Sequence, residues 1–359
     1  MAAALYRQFV APPLYLQGPG ALSELPDLAA RLGSRPLIVT DAGVINLMAG
    51  RLRAVFRDAP VLMLEGEITP STISRLAAEG DAVGCDVVVG IGGGKALDAG
   101  KAVARDTGAR FISVPTIASN DAPTSRAIAL YGDEDHRFMV ETLGRNPDAV
   151  VADTEILAAA PPHFLRCGIG DALAKAVEAT GCAASPVGRT TLGAYPSIAG
   201  LALAKAAHET LHDHAIAALA VAGGGIPNAA FEAAVEAVIL MSGLGFENGG
   251  LGLAHAMTRG LILAPRTCRH AHGEHVAYGM LVQLALDADN ATLREERDFV
   301  RSVGLPTMLA AFDPAPVSVD DFRFLAVKAM TAEQHVLNYV RPLDADRIAI
   351  AMMRLERLD

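Results

Sequence analysis

The chain has 359 residues, of which 52% are hydrophobic and 19% are charged, and its formal net charge is −10. This composition excludes a disordered chain, because it supplies enough apolar surface for a large core. The excess of acidic residues argues against nucleic acid or an anionic membrane as the main partner, and the length predicts roughly two domains.

The cysteines and the N-terminus bear on the compartment. The four cysteines have neither metal-type nor disulfide-framework spacing, which fits a reducing cytoplasm. The N-terminus has no basic start followed by an apolar stretch, so no secretory signal is expected. We find no uninterrupted apolar span long enough to cross a bilayer and therefore expect a cytoplasmic protein with no membrane partner.

The first half alternates predicted strands with predicted helices. Short apolar runs predict strands at 13–17, 36–41, 60–64, 86–90, 111–114 and 148–153, with helices at 42–56, at 72–83 and from Lys95 onward. Thr69 or Ser71 is a candidate N-cap. The alternation predicts a doubly wound, mainly parallel, Rossmann-like sheet. Residues 126–131 and 136–141 predict an antiparallel hairpin beside it.

A glycine-rich turn, GIGGGK, follows the apolar run CDVVVG. Strand, glycine turn and helix together place backbone N–H groups and a helix N-terminus against a phosphate. The turn contains Gly92, Gly93, Gly94 and Lys95, and Lys95 stands where the dinucleotide pattern G-x-G-x-x-G needs glycine. It therefore predicts a phosphate cradle of another type; the alternative is a strand–helix turn without a ligand.

Two further polar segments follow predicted strands. Asp41 ends one of them, where it would bind an adenine ribose and favour NAD, or else cap the next helix. Residues 114–125, VPTIASNDAPTS, are dense in small hydroxyl and turn residues, as expected of a loop around a polar ligand or of an ordinary turn. In a parallel sheet both segments lie at the ligand-binding edge.

The pattern changes near residue 160, where we place the boundary between an α/β domain (1–160) and a helical domain (161–359). The helices predicted for the second domain span 161–184, 190–220, 226–247, 249–262, 273–288, 292–303, 318–330 and 345–357.

Three helical segments carry candidate metal ligands. Asp171, His255 and His272 supply one carboxylate and two imidazoles, a set that suits catalytic Zn²⁺ or Fe²⁺. Their spacing is long, and a single histidine on an apolar helix face is more often a core residue than a ligand. His270 and His275 compete with His272 for the role, and Glu274 is a candidate outer-shell partner. Residues 270, 274 and 275 are His, Glu and His in HAHGEH.

Five segments in the same order resemble the metal-dependent alcohol dehydrogenase superfamily of the iron-containing type, most closely its glycerol dehydrogenase branch. They are GIGGGKALDAGKAVA, VPTIASNDAPTS, RNPDAVVADTEILAAAPPHFLRCGIGDALAKAVEA, GFENGGLGLAHA and HGEHVAYGMLVQLAL. The resemblance implies a dehydroquinate synthase-like architecture with the active site in the cleft between its two domains. It implies a cytoplasmic homo-oligomer, often an octamer.

The resemblance also assigns residues. It implies that Asp171, His255 and His272 bind Zn²⁺, or Fe²⁺ as the alternative, and that Asp121 contacts the substrate. The implied NAD-binding positions are Asp41, Gly92, Gly93, Gly94, Lys95, Thr116, Ser119, Ser125 and Tyr131. The implied reaction is NAD-dependent oxidation of a secondary hydroxyl in a small polyol, glycerol or a related vicinal diol, to a ketone.

Some residues depart from the glycerol dehydrogenase pattern. In HAMTRG, Thr258 replaces a histidine and Arg259 an asparagine, and Arg126 replaces a small residue after DAPTS. Arginines bind carboxylates and phosphates well. The alternative substrates are therefore a 2-hydroxy or 2-oxo acid, or glycerol 1-phosphate. The other interpretation is that Arg126 and Arg259 point to solvent or to a neighbouring subunit. A 3-dehydroquinate synthase-like lyase and an inactive binding module are further alternatives.

Overall fold

The computed structural model describes residues 6–55, 59–134 and 138–358, which divide into two compact units. The α/β unit comprises Val10–Pro162 and Val221–Val235; the helical unit comprises His163–Ala220, Glu236–Asp359 and Met1–Phe9, as far as these are described. The division near residue 162 lies close to the predicted boundary, but residues 221–235 and the N-terminus fall on the other side of it. Hydrogen bonds explain both segments: the Gly223 N–H donates to the Ala158 carbonyl, and the Tyr195 N–H to that of Tyr6.

Six parallel strands form the sheet of the α/β unit. In chain order they are β1 (Tyr15–Gly18), β2 (Pro36–Asp41), β3 (Val61–Leu64), β4 (Val87–Gly92), β5 (Arg110–Pro115) and β8 (Ala149–Asp153), and a hairpin adds β6 (Ala127–Tyr131) and β7 (Phe138–Thr142). The order across the sheet is β1-β8-β5-β4-β2-β3. All five pairings are parallel, which confirms the predicted doubly wound sheet.

Strand β4 shows why the apolar runs fold as central strands. Val87 and Val89 pack into one apolar core, whereas Val88 packs into the core on the opposite face. Side chains alternate across a sheet, so a strand covered on both faces needs apolar residues at every position. The three valines are fully buried, as this arrangement requires.

Helices cover the sheet, and the hairpin stands beside it. The helices are α1 (Leu25–Leu32), α2 (Ala42–Val55), α3 (Pro70–Val83), α4 (Gly94–Thr107) and α5 (Thr154–Ala159). Thr69 is the N-cap of α3, since its side chain accepts from the Thr72 N–H. Strands β6 and β7 are antiparallel, as predicted. The start of the predicted second hairpin strand, 136–137, and the last residue of the predicted helix 42–56 lie outside the described residues.

A buried ion pair fixes the segment between β5 and β6. The Lys101 ammonium lies 2.8 Å from Asp98 Oδ1, and it donates to the carbonyls of Ala122 and Ala127 at 2.8 and 2.9 Å. The other Asp98 oxygen accepts from the Ala129 N–H. Helix α4 thus holds the loop that contains Asp121 and Ser125 at its middle and at its C-terminal end, which the sequence did not reveal.

Replacing Lys101 with Met should lower the free energy of unfolding by about 3–5 kcal/mol, because it leaves the Asp98 carboxylate buried without its partner. Urea unfolding followed by circular dichroism measures this. The matched control is Arg75→Met, which breaks the exposed pair with Glu79 and should cost at most about 1 kcal/mol. Equal losses in both variants would show that the buried pair contributes no more than a surface pair.

The rest of the chain is helical, as predicted. Its helices are α6 (Pro162–Ala184), α7 (Ile198–Leu219), α8 (Ala229–Glu236), α9 (Ser242–Gly249), α10 (Leu253–Leu261), α11 (His272–Asp287), α12 (Asn290–Ser302), α13 (Leu309–Phe312), α14 (Val319–Ala329), α15 (Glu333–Leu337) and α16 (Ala345–Glu356). The prediction of a helix from residue 190 is wrong for its first eight positions. Gly193 adopts a positive φ, and Ser197 caps the helix by accepting from the Gly200 N–H.

One helical run bears on the expectation that the chain has no uninterrupted apolar span of membrane length. Helices α8 and α9 join through a π-helical turn, Ala237–Met241, to give the run Ala229–Gly249. This run is the one helix in the described ranges that is long and apolar enough to cross a bilayer. Of its most apolar window, 61% is buried inside the protein, as in a core helix.

Candidate active site

The glycine turn lies between β4 and α4, where close packing excludes side chains. Gly92 has a φ of +150°, and a Cβ at this position would lie 2.6 Å from the Ala96 Cβ. A Cβ on Gly93 would lie 2.8 Å from the Ile117 side chain. Gly93 precedes the first turn of α4 and provides no side-chain cap. The first N–H groups of an α-helix have no partner within the helix, so a helix that starts at this turn is consistent with the predicted phosphate cradle.

Asp41 and Lys95 flank this turn. One Asp41 oxygen accepts from the Val44 N–H at 3.0 Å, so the predicted helix cap is present. The other oxygen lies 3.4 Å from the position of a Cβ on Gly92, so the carboxylate also borders the turn. Lys95 pairs with Glu67 at 2.5 Å, and both side chains are exposed. The edge of the turn therefore has the Asp41 carboxylate on one side and the Lys95–Glu67 ion pair on the other.

The segment after β5 returns to the same turn. The Thr116 N–H donates to the Gly92 carbonyl at 3.0 Å, which places the start of the segment against the glycines. Ser119 follows it and is half-buried. The Asp121 carbonyl accepts from the Thr124 N–H in a tight turn. The predicted positions Thr116, Ser119 and Asp121 thus belong to one loop that begins beside the glycine turn.

Ser125 and Tyr131 occupy the end of this loop and the hairpin. Ser125 is buried, and its hydroxyl accepts from the Ala127 N–H at 2.9 Å. Tyr131 packs edge-on against Phe138. Burial, with a smaller contribution from the Glu67 carboxylate, raises the pKa of the Tyr131 phenol. Tyr131 is therefore a neutral side chain with a hydroxyl at neutral pH.

In the helical unit, Asp171 of α6, His255 of α10 and His272 of α11 come together. Asp171 Oδ1 lies 3.3 Å from Nε2 of His255 and 3.6 Å from Nε2 of His272. Asp171 is buried, His255 is nearly so, and the His272 side chain is 48% exposed. One carboxylate oxygen and two imidazole nitrogens within 4.8 Å of one another form a donor set that fits a divalent transition metal, with one side open for a substrate.

Glu178 is the outer-shell partner of His255, one that sequence reasoning missed. Its Oε2 lies 2.7 Å from Nδ1 of His255, and its Oε1 accepts from the His255 backbone N–H. The carboxylate keeps the proton on Nδ1 and turns Nε2 towards Asp171. Glu178 lies seven residues after Asp171, on the same face of α6, which is the signal that could have found it.

Lys175 is the second residue that was missed. Its ammonium lies 2.8 Å from Asp171 Oδ1 and 3.0 Å from Nε2 of His255, the same two atoms that a metal would use. Burial opposes ionisation of Asp171, but Lys175 and the two histidines hold the pKa of this carboxyl well below its ordinary value. In the metal-free protein the Lys175 ammonium therefore places a positive charge where a metal would bind.

The structure separates His272 from its rivals. Nε2 of His270 lies 3.1 Å from the Phe312 carbonyl, and Nε2 of His275 lies 2.9 Å from that of Thr267. Both rings therefore make other contacts. Glu274 accepts from the Ala271 N–H and caps α11. Its expected role as an outer-shell partner falls to Glu178.

Metal affinity should depend on pH through His255. Burial and the Lys175 ammonium disfavour the charged ring, but Glu178 and Asp171 together outweigh them and raise the pKa of His255 to about 9 in the metal-free protein. A metal must displace that proton, so affinity should rise about tenfold per pH unit below pH 9 and level off above it. Competition with a chromophoric chelator at a series of pH values measures this. An affinity that does not change with pH below 9 would contradict the assignment.

The three departures from the family pattern are partly explained by their contacts. The Thr258 hydroxyl donates to the His255 carbonyl at 2.7 Å, so it bonds back to its own helix. The Arg126 Nε donates to the Thr142 hydroxyl and ties the ends of the hairpin together. Arg259 lies in the last turn of α10 and is half-buried.

Comparison with known proteins identifies the family of the chain. Residues 12–154 match the iron-containing alcohol dehydrogenase family. A glycerol dehydrogenase from Thermotoga maritima is 38% identical over 352 residues, which are 96% of each chain. A glycolaldehyde reductase from Halobacterium salinarum is 36% identical and covers 87% of each chain. The crystal structure of a probable glycerol dehydrogenase from Sinorhizobium meliloti 1021 superposes with a TM-score of 0.90 at 35% identity, over 98% of each chain.

The chain therefore belongs to the iron-containing alcohol dehydrogenase family, and it is an oxidoreductase. Within that family, its nearly full-length similarity to the Thermotoga and Sinorhizobium proteins places it beside glycerol dehydrogenases. The resemblance inferred from the five sequence segments is confirmed.

Proposed function

We propose that the protein is an NAD-dependent dehydrogenase that oxidises the secondary hydroxyl of a small polyol, glycerol or a related vicinal diol, to a ketone. The observation that carries the proposal is the convergence of Asp171, His255 and His272, in a chain 38% identical to a glycerol dehydrogenase. The family implies a divalent metal and NAD(H). Of the two metals considered, we propose Zn²⁺, because two imidazoles and one carboxylate with an open side are typical of catalytic zinc.

The candidate site residues of the helical unit each have a defined role in this proposal. A divalent metal would lower the pKa of the substrate hydroxyl, so that its proton is lost near neutral pH. Asp171, His255 and His272 would hold the metal. Glu178 fixes the tautomer and the orientation of His255 through the 2.7 Å contact with Nδ1. The half-exposed side of His272 leaves room for the substrate.

The α/β unit would bind the cofactor. NAD supplies the hydride acceptor, and the chain supplies binding and orientation. The N–H groups of Gly92, Gly93 and Gly94 would bind the pyrophosphate, with Lys95 at the edge of that turn. Asp41 would accept from the ribose hydroxyls.

The loop and the hairpin would complete the cofactor and substrate contacts. Thr116, Ser119 and Ser125 would orient the nicotinamide half, and Tyr131 would border it. We assign Asp121 to the substrate, where its carboxylate would accept from a second hydroxyl. We also propose that the protein is located in the cytoplasm and forms a homo-oligomer.

The test is a substrate panel assayed by NADH absorbance with zinc-loaded protein. We expect turnover of glycerol and 1,2-propanediol and little turnover of 2-hydroxybutyrate or glycerol phosphate. Turnover of the anionic compounds alone would contradict the polyol assignment and move the enzyme to a hydroxy-acid or phosphate substrate. Dehydroquinate synthase-like chemistry would give no net NADH from any of them.

Replacing Asp41 with Asn should weaken the preference for NAD over NADP by about tenfold or more. The neutral amide still caps α2 but no longer repels a 2′-phosphate. The ratio of kcat/KM for the two cofactors measures the change. As a matched control, Asp27→Asn alters an acidic residue in the first turn of α1 and should leave the ratio unchanged. An unchanged ratio in Asp41→Asn would limit Asp41 to its capping role.

A further inference from the structure

A second group of metal-binding side chains lies in the helical unit, outside the site described above. His208 and His212 are one turn apart on α7, and Glu296 faces them from α12. Nε2 of His208 lies 3.1 Å from Glu296 Oε1, and Nε2 of His212 lies 3.3 Å from Oε2. The three donor atoms lie within 4.8 Å of one another. Two histidines and a carboxylate thus converge from two helices.

Contacts other than those with Glu296 fix the orientation of the two imidazole rings. Nδ1 of His208 lies 3.1 Å from the Leu173 carbonyl, which can only accept, so Nδ1 carries a proton. When Nε2 gives up its proton on binding a metal, its lone pair faces Glu296. The ring of His212 stacks on Phe299, with centroids 3.8 Å apart. An imidazole that donates its other N–H to a backbone carbonyl is the usual arrangement of a metal-bound histidine.

The spacing also suits a metal. A tetrahedral ion with bonds of about 2.0–2.1 Å places neighbouring ligand atoms roughly 3.3 Å apart, close to the two distances between the imidazoles and Glu296. The side chains are 18%, 27% and 15% exposed, so solvent has access to complete the coordination. In the metal-free protein, burial disfavours the charged ring, but the Glu296 carboxylate raises the pKa of His208, so a proton between Nε2 and Glu296 takes the position that a metal would occupy.

We propose that His208, His212 and Glu296 form a second divalent-cation site, with Zn²⁺ as the preferred ion. The metal would join α7 to α12 and, through the hydrogen bond from His208, to α6 at Leu173. Leu173 lies between Asp171 and Lys175 in the chain. The site would therefore support the helix that carries the candidate active-site carboxylate. Its role is to stabilise the helical unit.

The experiment compares zinc bound per chain in the full-length protein, after equilibrium dialysis, for wild type, Glu296→Gln and His214→Gln. Gln keeps the shape of Glu296 but removes the charged ligand. His214 lies on the same helix outside the cluster and is the matched control. We expect Glu296→Gln to bind one ion fewer than wild type, with affinity at this site reduced by more than the ~10–100-fold typical of losing an outer-shell partner. We expect His214→Gln to match wild type.

The comparison rests on a difference between variants, so it does not depend on whether Asp171, His255 and His272 bind metal. Equal zinc in wild type and Glu296→Gln would overturn the proposal and leave a protonated histidine paired with Glu296. Anomalous scattering from zinc-soaked crystals of the wild type does not depend on the folding of any variant. A peak between His208, His212 and Glu296 is expected, and its absence would overturn the proposal.

Discussion

Asp171→Asn should reduce NADH formation from glycerol by more than about 100-fold, since loss of a metal ligand should cost more than the roughly 10–100-fold that loss of an outer-shell partner costs. The amide keeps the size of the side chain but removes the charge that Lys175 and the two histidines face. Metal affinity should fall with the activity. Initial rates and zinc content, measured on the same preparation, test both effects together.

Two controls distinguish the loss of a metal ligand from a folding defect. The variant leaves the buried Lys175 ammonium without its carboxylate, so some loss of stability is expected, and circular dichroism must show a folded protein at the assay temperature. Glu274→Gln is the matched acid-to-amide control, because Glu274 caps α11 two residues from His272. We expect it to keep both zinc and activity. A folded Asp171→Asn protein with wild-type zinc content would contradict the assignment of Asp171 as a ligand.

Lys175→Met should raise the affinity for zinc by about tenfold or more. The ammonium contacts Asp171 Oδ1 and His255 Nε2, so it competes with a metal for the two donor atoms. Without it, the metal-free protein contains a buried carboxylate with no lysine beside it and should be less stable by about 3–5 kcal/mol. Zinc should therefore raise the melting temperature of the variant more than that of the wild type.

The measurements are chelator competition and thermal unfolding with and without zinc. Lys205→Met provides the control, since Lys205 is an exposed lysine of α7. It should leave zinc affinity unchanged. Weaker zinc binding in Lys175→Met would mean that the lysine supports the site instead of competing with the metal.

Much of the fold could be predicted because the pattern of apolar residues along the chain determines where strands and helices form. In β4, three consecutive valines are needed since the strand is covered on both faces, and such a run is readable without a structure. The error at residues 190–197 has two causes: Gly193 and Pro196 interrupt the helical pattern, and the Tyr195 N–H donates to the carbonyl of Tyr6, far away in the chain. The periodicity of apolar residues gives no information about a hydrogen-bond partner so distant in sequence.

The candidate site was harder to predict from the sequence for the same reason. Family resemblance marked Asp171, His255 and His272, and the structure brings them together. Lys175 and Glu178 share a helix with Asp171, but their partner His255 is about eighty residues away. Only the packing of α6 against α10 decides that their side chains meet it. The role of the buried lysine could therefore be recognised only from the structure.

The most direct test of the central claim is NADH formation from glycerol by wild-type protein before zinc removal, after removal by a chelator, and after zinc is restored. We predict activity in the first state, its loss in the second and its recovery in the third. Activity with glycerol that persists in fully zinc-free protein would contradict the account, because the Asp171, His255 and His272 site would then not be needed for the reaction.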